Sequence, residues 1–366
     1  MLSGPLTRNL LAIMARRLAS PSRSSLTRLR LVVFDGGLPS SIYPLRGRST
    51  PKDRHHRLRD SFRFSQAADA LRWVLNYRGQ RAAIGRRYVF DALRRVTPSV
   101  AVDTDGLRLY VSTSDQEVSR VTFASGAYER EQFPPLMDAL QRAGMGATIQ
   151  GRGFLDIGGN IGSATCLALS RYEAAEAWVF EPSPANVQLL RQNLLVNGFE
   201  NRVRVHAVAL SDHDGTVTFE LSDENWGDNR VRVGSPNGQG SPGLTGETQR
   251  RTVEVPARRL DSLVDDGSIE LESIGLAWID VQGHEAHVLA GAASLLASNV
   301  PIVCEYWPYV LKRADGLERF HTLVAGSRSR FVDLATPDAT ALPIDQLAAL
   351  HTSYAGMTYT DLLLLS

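Results

Sequence analysis

The feature that most constrains the fold of this chain is a short apolar run that ends in a carboxylate and a glycine-rich turn. Residues 154–162 read FLDIGGNIG, and a helical pattern begins at Ser163. In α/β proteins, a buried strand, a glycine turn and a helix form the floor of a nucleotide or nucleoside pocket. The glycine spacing departs from the G-x-G-x-x-G turn that places a helix N-terminus against a pyrophosphate. The carboxylate of Asp156 better suits a ligand that carries an ammonium group.

Segments with strand and helix patterns alternate after this turn. We predict strands at 154–157, 177–181, 203–208, 276–280 and 301–306, helices at 163–171, 184–196 and 286–297, and a closing β-rich run at Thr358–Leu365. Such alternation with short connections predicts an α/β fold, in which helices cover both faces of a mostly parallel sheet.

The chain is predicted to have three parts. Residues 1–60 are rich in Arg, Ser and Pro without a sustained hydrophobic period, which predicts a basic, disordered arm. Residues 61–150 are predicted to form an N-terminal helical/β cap, with a helical pattern over 65–96, a strand over 107–111 and a helix near 135–143. Residues 151–366 are predicted to form the main domain, with a polar, flexible insertion at 234–251.

The formal net charge of +1 hides an asymmetry along the chain. Residues 1–100 hold 20 Arg and Lys against 5 Asp and Glu. The excess of basic residues in this part of the chain fits either codon bias together with an ordinary solvent-exposed surface, or a basic patch that binds an acidic partner. Residues 1–34 contain no acidic residue, so their composition overlaps with that of organellar transit peptides. We predict a cytoplasmic protein, with organellar targeting as the alternative.

Cysteine content and hydropathy exclude two further classes. The two cysteines lie within apolar runs, which argues against a disulfide framework and for buried thiols. No apolar run approaches the ~20 residues needed to cross a bilayer.

Polar residues follow the second and third predicted strands. Glu181 lies at the end of the second strand, where a carboxylate can accept two hydrogen bonds from a ribose diol. Alternatively, its charge favours the dipole of the next helix. Ser211 and Asp212 follow the third strand, where they either hold an adenine edge or form an ordinary turn.

These motifs, in this order and spacing, resemble the FkbM family of S-adenosylmethionine-dependent methyltransferases. The resemblance rests on DIGGNIG at 156–162, FEPSPANVQLLRQNLLVNG at 180–198, ALSD at 209–212 and WIDVQGHEAHVLAGA at 278–292. It implies a seven-stranded class I (Rossmann-like) methyltransferase fold with S-adenosylmethionine as the cofactor. It also implies methylation of a hydroxyl group, on a sugar, a glycan or a secondary metabolite.

The resemblance assigns cofactor-binding residues by motif. The loop under the methionine moiety would comprise Asp156, Gly158, Asn160 and Gly162. Glu181 would contact the ribose, and Ser211 and Asp212 would flank the adenine. Tyr128 and Glu129 match an upstream motif that would close over the cofactor.

Asp280 and His284 are the candidate catalytic residues. Methyl transfer from a sulfonium needs an aligned nucleophile and, for an alcohol, a proton acceptor. His284, with an unperturbed pKa near ~6.5, is the predicted general base. Asp280 could orient His284, hold the methionine ammonium or act as the base itself. His284 could also only hold its loop, and Glu285 could only add charge to the first turn of the following helix.

Further candidates on the substrate side are Trp226, Asn229, Glu285 and Glu305. Asp280, Glu305 and His284 are hard or borderline ligands, so a divalent metal stays open. No metal site is predicted, since neither an H-x-x-x-H motif nor a cysteine cluster occurs.

Two other functions remain open at this stage. A glycine loop followed by an acid after the second strand also fits an NAD-dependent oxidoreductase, although the G-x-G-x-x-G spacing fails. The basic first hundred residues could bind nucleic acid, but they lack aromatic interleaving or a known module. We therefore expect a small-molecule or glycan acceptor; the sequence does not specify the oligomeric state.

Overall fold

The computed structural model describes residues 80–104, 106–126, 129, 131–233 and 250–366. The predicted basic arm, the first part of the predicted helical pattern at 65–96, Tyr128 and most of the predicted insertion lie outside the described residues. The division into an arm, a cap and a main domain stays a prediction.

The N-terminal described elements are two strands and three helices. They are α1 (Gln80–Leu93), β1 (Ser99–Thr104), β2 (Leu107–Ser112), α2 (Val118–Ser125) and α3 (Phe133–Arg142). β1 and β2 form an antiparallel hairpin that turns at Gly106, whose φ of +82° favours glycine. The predictions of β2 and α3 are confirmed, while β1 and α2 were not predicted.

The remaining strands are β3 (Gly153–Ile157), β4 (Glu176–Phe180), β5 (Val203–His206), β6 (Ala209–Leu210), β7 (Gly215–Leu221), β8 (Arg230–Val231), β9 (Arg251–Arg258), β10 (Ile274–Ile279), β11 (Ile302–Tyr306), β12 (Arg330–Asp333), β13 (Leu342–Pro343) and β14 (Thr360–Leu365). The remaining α-helices are α4 (Ser163–Arg171), α5 (Pro184–Val196), α6 (Leu260–Asp265), α7 (Glu285–Ala290), α8 (Ala293–Ala297), α9 (Pro308–Arg313) and α10 (Leu317–Ala325).

The main sheet has the order β13-β12-β14-β11-β10-β3-β4-β5. The neighbouring strands β11, β10, β3, β4 and β5 are parallel to one another, and β14 runs antiparallel to β11 and β12. The predicted α/β class with a mostly parallel sheet is confirmed. The described sheet has eight strands where seven were predicted, because the two-residue β13 pairs with the edge of β12. The strand order reverses between β3 and β10, which opens a crevice at their carboxyl ends.

Both faces of this sheet are buried. On β3, Phe154 packs in one hydrophobic cluster, and Leu155 and Ile157 pack in another. Because successive side chains of a strand point to opposite faces, a continuous apolar run is what a strand covered on both faces requires. The run before Asp156 is thus explained by packing.

Three details differ from the predicted elements. A second sheet of order β6-β9-β7-β8 lies between β5 and β10 in sequence and was not predicted. The helix predicted over 286–297 is wrong, because it divides into α7 and α8 at Gly291. A Cβ on Gly291 would lie 2.0 Å from the carbonyl oxygen of Ser211. Only glycine therefore lets the backbone at position 291 lie this close to the backbone of Ser211. The predicted insertion is too long, since Arg251 already belongs to β9.

Asp261 of α6 caps the start of α8. Its carboxylate accepts hydrogen bonds from the backbone N–H of Ala293 at 3.0 Å and of Ser294 at 2.9 Å, and from the Ser294 hydroxyl at 2.6 Å. Although burial opposes ionisation, these hydrogen bonds hold the pKa of Asp261 below its usual value. The ionised form is therefore the one that stabilises the junction.

We expect Asp261→Ala to lower the free energy of unfolding by about 1–2 kcal/mol at pH 7, because a helix cap is lost. The folded-state pKa lies below the unfolded value near ~3.9, so the stabilisation is present above that pH and disappears as the pH falls through the folded pKa. Urea unfolding at several pH values measures this difference. Asp265→Ala, at an exposed position of the same helix, is the control. The capping role would be contradicted if both variants lost the same free energy of unfolding. It would also be contradicted if the difference between wild type and Asp261→Ala did not become smaller at acidic pH.

Candidate functional site

A cavity opens beyond the carboxyl ends of β3, β4 and β10. Apolar side chains from β4, β7 and the segment before β6 form part of its wall, together with Trp226. The polar side chains that line it are Asn160, Glu181, Asn186, Asn229, Asp280, Gln282 and His284. The cavity therefore lies where the strand order reverses and combines apolar walls with hydrogen-bonding groups, as ligand sites do.

The glycine turn is shaped by close backbone contacts. Gly158 and Gly159 donate backbone hydrogen bonds to the carbonyl oxygen of Phe180 at 2.9 and 3.1 Å. Gly158 has φ +97°, and a Cβ there would lie 1.8 Å from the carbonyl oxygen of Asp280. A side chain at this position would therefore push apart the two strand ends that form the cavity.

We expect Gly158→Ala to lower the free energy of unfolding by about 3 kcal/mol, from left-handed strain together with the clash. Gly198→Ala is the matched control, because Gly198 has φ +73° but a Cβ at this position would meet no atom within 4 Å. It should cost only about 1 kcal/mol from strain. Denaturant unfolding of both variants checks the difference, and equal losses would mean that the contact with Asp280 does not matter.

Glu181 lies on the opposite side of the turn, immediately after β4. Its carboxylate accepts hydrogen bonds from the backbone N–H of Asn160 at 3.0 Å and of Ser183 at 2.7 Å, and from the Asn186 side chain at 3.4 Å. Burial raises the pKa of Glu181 to about 7. The Oδ1 atoms of Asn160 and Asn186 are buried and accept no hydrogen bond from the described residues. A buried acceptor without a donor costs folding free energy, so we expect a ligand in the cavity to supply hydrogen-bond donors to these atoms.

Asp156 and Glu129 lie behind the turn. Asp156 is 1% exposed and accepts a hydrogen bond from the Thr165 hydroxyl, so it does not line the cavity. Glu129 accepts a hydrogen bond from the Ser163 hydroxyl at 2.6 Å. Burial raises the pKa of Asp156 to about 7 and that of Glu129 to about 8, and the charge of Asp280 adds to both shifts. A cation nearby would stabilise both acids in their charged form.

Asp280 begins the turn after β10, and Glu285 begins α7 directly after that turn. Asp280 lines the cavity, and burial raises its pKa. Glu285 is 1% exposed, and its Oε1 accepts hydrogen bonds from the backbone N–H of Val281 and of Gly283, both at 3.1 Å. Glu285 therefore holds the turn together. Glu305, 6% exposed on the neighbouring β11, lies near Asp280 and is joined to it through Gln282.

His284 lines the cavity but lies in a buried, weakly basic position. Its Nε2 is 3.0 Å from the Ser211 hydroxyl, and its ring stacks on His287 with centroids 4.4 Å apart. Burial, with a contribution from His287, lowers the pKa of His284 to about 3. The ring is therefore neutral at pH 7 and a weak proton acceptor. The prediction that His284 is the general base stays untested.

The other predicted residues divide into two groups. Trp226 and Asn229 line the cavity. Ser211 contacts His284, and the Asp212 carboxylate accepts a hydrogen bond from Arg319 at 2.7 Å; neither lines the cavity. Their predicted role beside an adenine stays a prediction, and Tyr128 lies outside the described residues.

Three polar side chains of the site were not predicted. Asn186 and Gln282 line the cavity, and Thr165 donates to Asp156. Asn186 could have been found, because it lies one helical turn beyond Ser183 at the start of α5 and so faces Glu181. Gln282 and Thr165 had no such signal, since Gln282 also contacts Glu305 of β11 and Thr165 of α4 contacts Asp156 of β3.

Two negative findings hold for the residues that the structure describes. No group of three or more His, Cys, Asp or Glu residues among them is arranged to hold a metal ion. No helix in that part of the chain is long and apolar enough to span a membrane.

The sheet order, the glycine turn and the acid after β4 together define a class I (Rossmann-like) methyltransferase fold. The family described as "Methyltransferase FkbM domain" matches residues 156–311, so this part of the chain is similar to that family. The chain is 34% identical over 158 residues to 2-O-methyltransferase NoeI of Sinorhizobium fredii (strain NBRC 101917 / NGR234), a match that covers 42% of this chain and 62% of that protein. The chain thus spans less than two thirds of this relative.

Solved structures give weaker matches. A methyltransferase FkbM from Methylobacillus flagellatus KT matches with a TM-score of 0.34 and 14% identity, over 69% of this chain and 66% of that chain. An O-methyltransferase from Bacillus cereus in complex with SAH matches with a TM-score of 0.37 and 15% identity, over 78% of this chain and 100% of that chain. The fold assignment therefore rests on the strand order of this chain itself.

Proposed function

We propose that this chain is an S-adenosylmethionine-dependent O-methyltransferase that acts on a hydroxyl group of a small molecule or glycan. In this proposal residues 151–366 bind the cofactor and residues 61–150 form a cap. The transfer to oxygen is supported by the name of the relative, a 2-O-methyltransferase.

The observation that carries the proposal is the set of acceptors around the glycine turn. Glu181 presents a buried carboxylate, and Asn160 and Asn186 present side-chain oxygens without donors among the described residues. A ribose diol supplies two hydroxyl donors at this place in the fold. The residues present therefore fit the nucleoside half of S-adenosylmethionine.

The acids behind the turn fit the other half of the cofactor. The charge of Asp280 adds to the raised pKa values of both Asp156 and Glu129, so these three acids lie close together. The ammonium and sulfonium charges of the methionine moiety would favour the ionised carboxylates. A diphosphate would instead be repelled, which supports a methyltransferase over the NAD-dependent oxidoreductase.

When bound, the cofactor supplies a methyl group on a sulfonium, which an aligned oxygen nucleophile can displace. The chain must hold the acceptor hydroxyl and take its proton. We assign proton acceptance to Asp280, because it lines the cavity and burial raises its pKa above the ordinary value of an aspartate. The sequence-based candidate, His284, has its pKa lowered to about 3 and would accept a proton poorly.

Transfer of labelled methyl groups tests the proposal. The protein is incubated with S-adenosylmethionine labelled in the methyl group and with a panel of monosaccharides, oligosaccharides and hydroxylated aromatic compounds, some of which also carry carboxyl or amine groups. We expect label in at least one hydroxyl-bearing acceptor as an alkali-stable ether. Label found only in carboxyl or amine acceptors would contradict O-methylation.

A further inference from the structure

The side-chain amide of Gln282 lies between the half-buried carboxylate of Asp280 and the buried carboxylate of Glu305, on neighbouring strand ends. Its Nε2 donates to Asp280 Oδ1 at 2.7 Å and is 3.3 Å from both carboxylate oxygens of Glu305. Asp280 follows β10, and Glu305 lies in β11. One amide group with two N–H donors thus links two acids that would otherwise repel each other.

The backbone of Gln282 is held in an uncommon conformation. Its φ is +55°, in the left-handed region that glutamine seldom adopts, and Gly283 follows with φ +103°. The hydrogen bonds from Val281 and Gly283 to Glu285 keep the turn in this shape. Such strain persists only where the surrounding structure enforces it, and it often marks a functional constraint. Here it brings the amide to the two carboxylates.

The surroundings of Asp280 favour its protonated form. Burial raises its pKa, and the hydrogen bond from Gln282 is the contact that lowers it. The titratable groups that interact with Asp280 from the described elements around it are Glu129, Asp156 of β3, Glu285 of α7, Cys304 and Glu305 of β11, and Tyr359 and Asp361 at β14. All of these groups are neutral or negative, so none of them favours a charged Asp280.

We propose that Gln282 is a positioning residue whose amide fixes the Asp280 carboxylate towards the cavity and favours its ionised form. Without this amide, the nearby carboxylate of Glu305 would disfavour the charged form of Asp280. The role of Asp280 as a proton acceptor, which this positioning would serve, rests on the proposed function. As the bond between the acceptor oxygen and the methyl carbon forms, the sulfur–methyl bond breaks, its electron pair stays on sulfur, and the hydroxyl proton passes to Asp280. Only an ionised Asp280 can take that proton.

Titration of Asp280 tests this inference without the need for turnover. The protein is labelled with aspartate carrying ¹³C in the side-chain carboxyl group, and Asp280→Asn identifies the resonance of Asp280. In Gln282→Ala we expect the titration midpoint of Asp280 to rise by about 1 pH unit, because a hydrogen bond to its charged form is lost. Unchanged midpoints would overturn the inference.

Gln282→Gly separates the amide from the backbone. Glycine adopts φ +55° without strain, so this variant removes the amide and relieves the turn. We expect the same rise in the midpoint as in Gln282→Ala, together with higher thermal stability than the alanine variant. A rise in the alanine variant alone would assign the effect to backbone strain and overturn the role of the amide.

Gln132→Ala is the matched control, because the Gln132 side chain hydrogen-bonds Asp361 of the same group of acids. It should raise the midpoint of Asp361 and leave that of Asp280 nearly unchanged. If Gln132→Ala raised the titration midpoint of Asp280 as much as Gln282→Ala does, any amide in this region would favour the ionised form of Asp280. That result would overturn a specific role for Gln282. Failure of the protein to bind S-adenosylhomocysteine would instead overturn the proposed function, whatever the midpoints.

Discussion

Glu181→Ala is expected to weaken the binding of S-adenosylhomocysteine at least about 100-fold, since two hydrogen bonds to a charged group are lost. The variant also removes the acceptor for the backbone N–H groups of Asn160 and Ser183, so the glycine turn loses its anchor on β4. Isothermal titration calorimetry measures the affinity. The binding loss thus combines a missing ligand contact with a less ordered turn.

Glu176→Ala is the matched control for this prediction. Glu176 begins the same strand, and its carboxylate pairs with Arg204 away from the cavity. Its affinity for S-adenosylhomocysteine should stay within about twofold, as for a surface ion pair. If Glu181→Ala bound as tightly as Glu176→Ala, Glu181 would have no role in holding the ribose.

Asp280→Asn is expected to reduce turnover about 10²–10⁴-fold with an acceptor that the wild-type protein methylates, because a positioned proton acceptor is lost. The substitution keeps the shape of the side chain and removes its charge. Affinity for S-adenosylhomocysteine should fall much less than turnover. The exposed Asp223 provides a control variant, Asp223→Asn, which should retain wild-type turnover.

The comparison of rate with affinity separates the possible roles of Asp280. If turnover and affinity fell by the same factor, Asp280 would hold the methionine ammonium and another group would take the proton. The wild-type pH profile gives a second test. Burial raises the pKa of Asp280, so activity should decline with acidification at a pH above the ordinary aspartate value of ~3.9. An acidic limb near that ordinary value would contradict the assignment.

The sequence could predict the parts of the fold that depend on local pattern. The apolar run before Asp156, the glycine turn and the helix at Ser163 follow one another in sequence, and each has its own signal. The second sheet could not be predicted in the same way. Its strands β6 and β8 have only two residues each, too few to show an alternating pattern, and they gain their partners from β7 and β9.

The site was predictable in its location and less so in its chemistry. The sequence placed Glu181 and Asp280 at strand ends, and both line the cavity. It suggested His284 as the base from the unperturbed pKa of histidine, but burial beside His287 lowers that pKa, and burial is a property of the folded chain. The bridge from Gln282 to Glu305 joins the turn after β10 to β11, so no local spacing could indicate it.

Calorimetry of the wild-type protein with S-adenosylhomocysteine and with NAD tests the central claim most directly. The buried acceptors around Glu181 and the acids behind the glycine turn predict micromolar binding of S-adenosylhomocysteine and no measurable binding of NAD. Binding of NAD without binding of S-adenosylhomocysteine would contradict the account and favour an oxidoreductase.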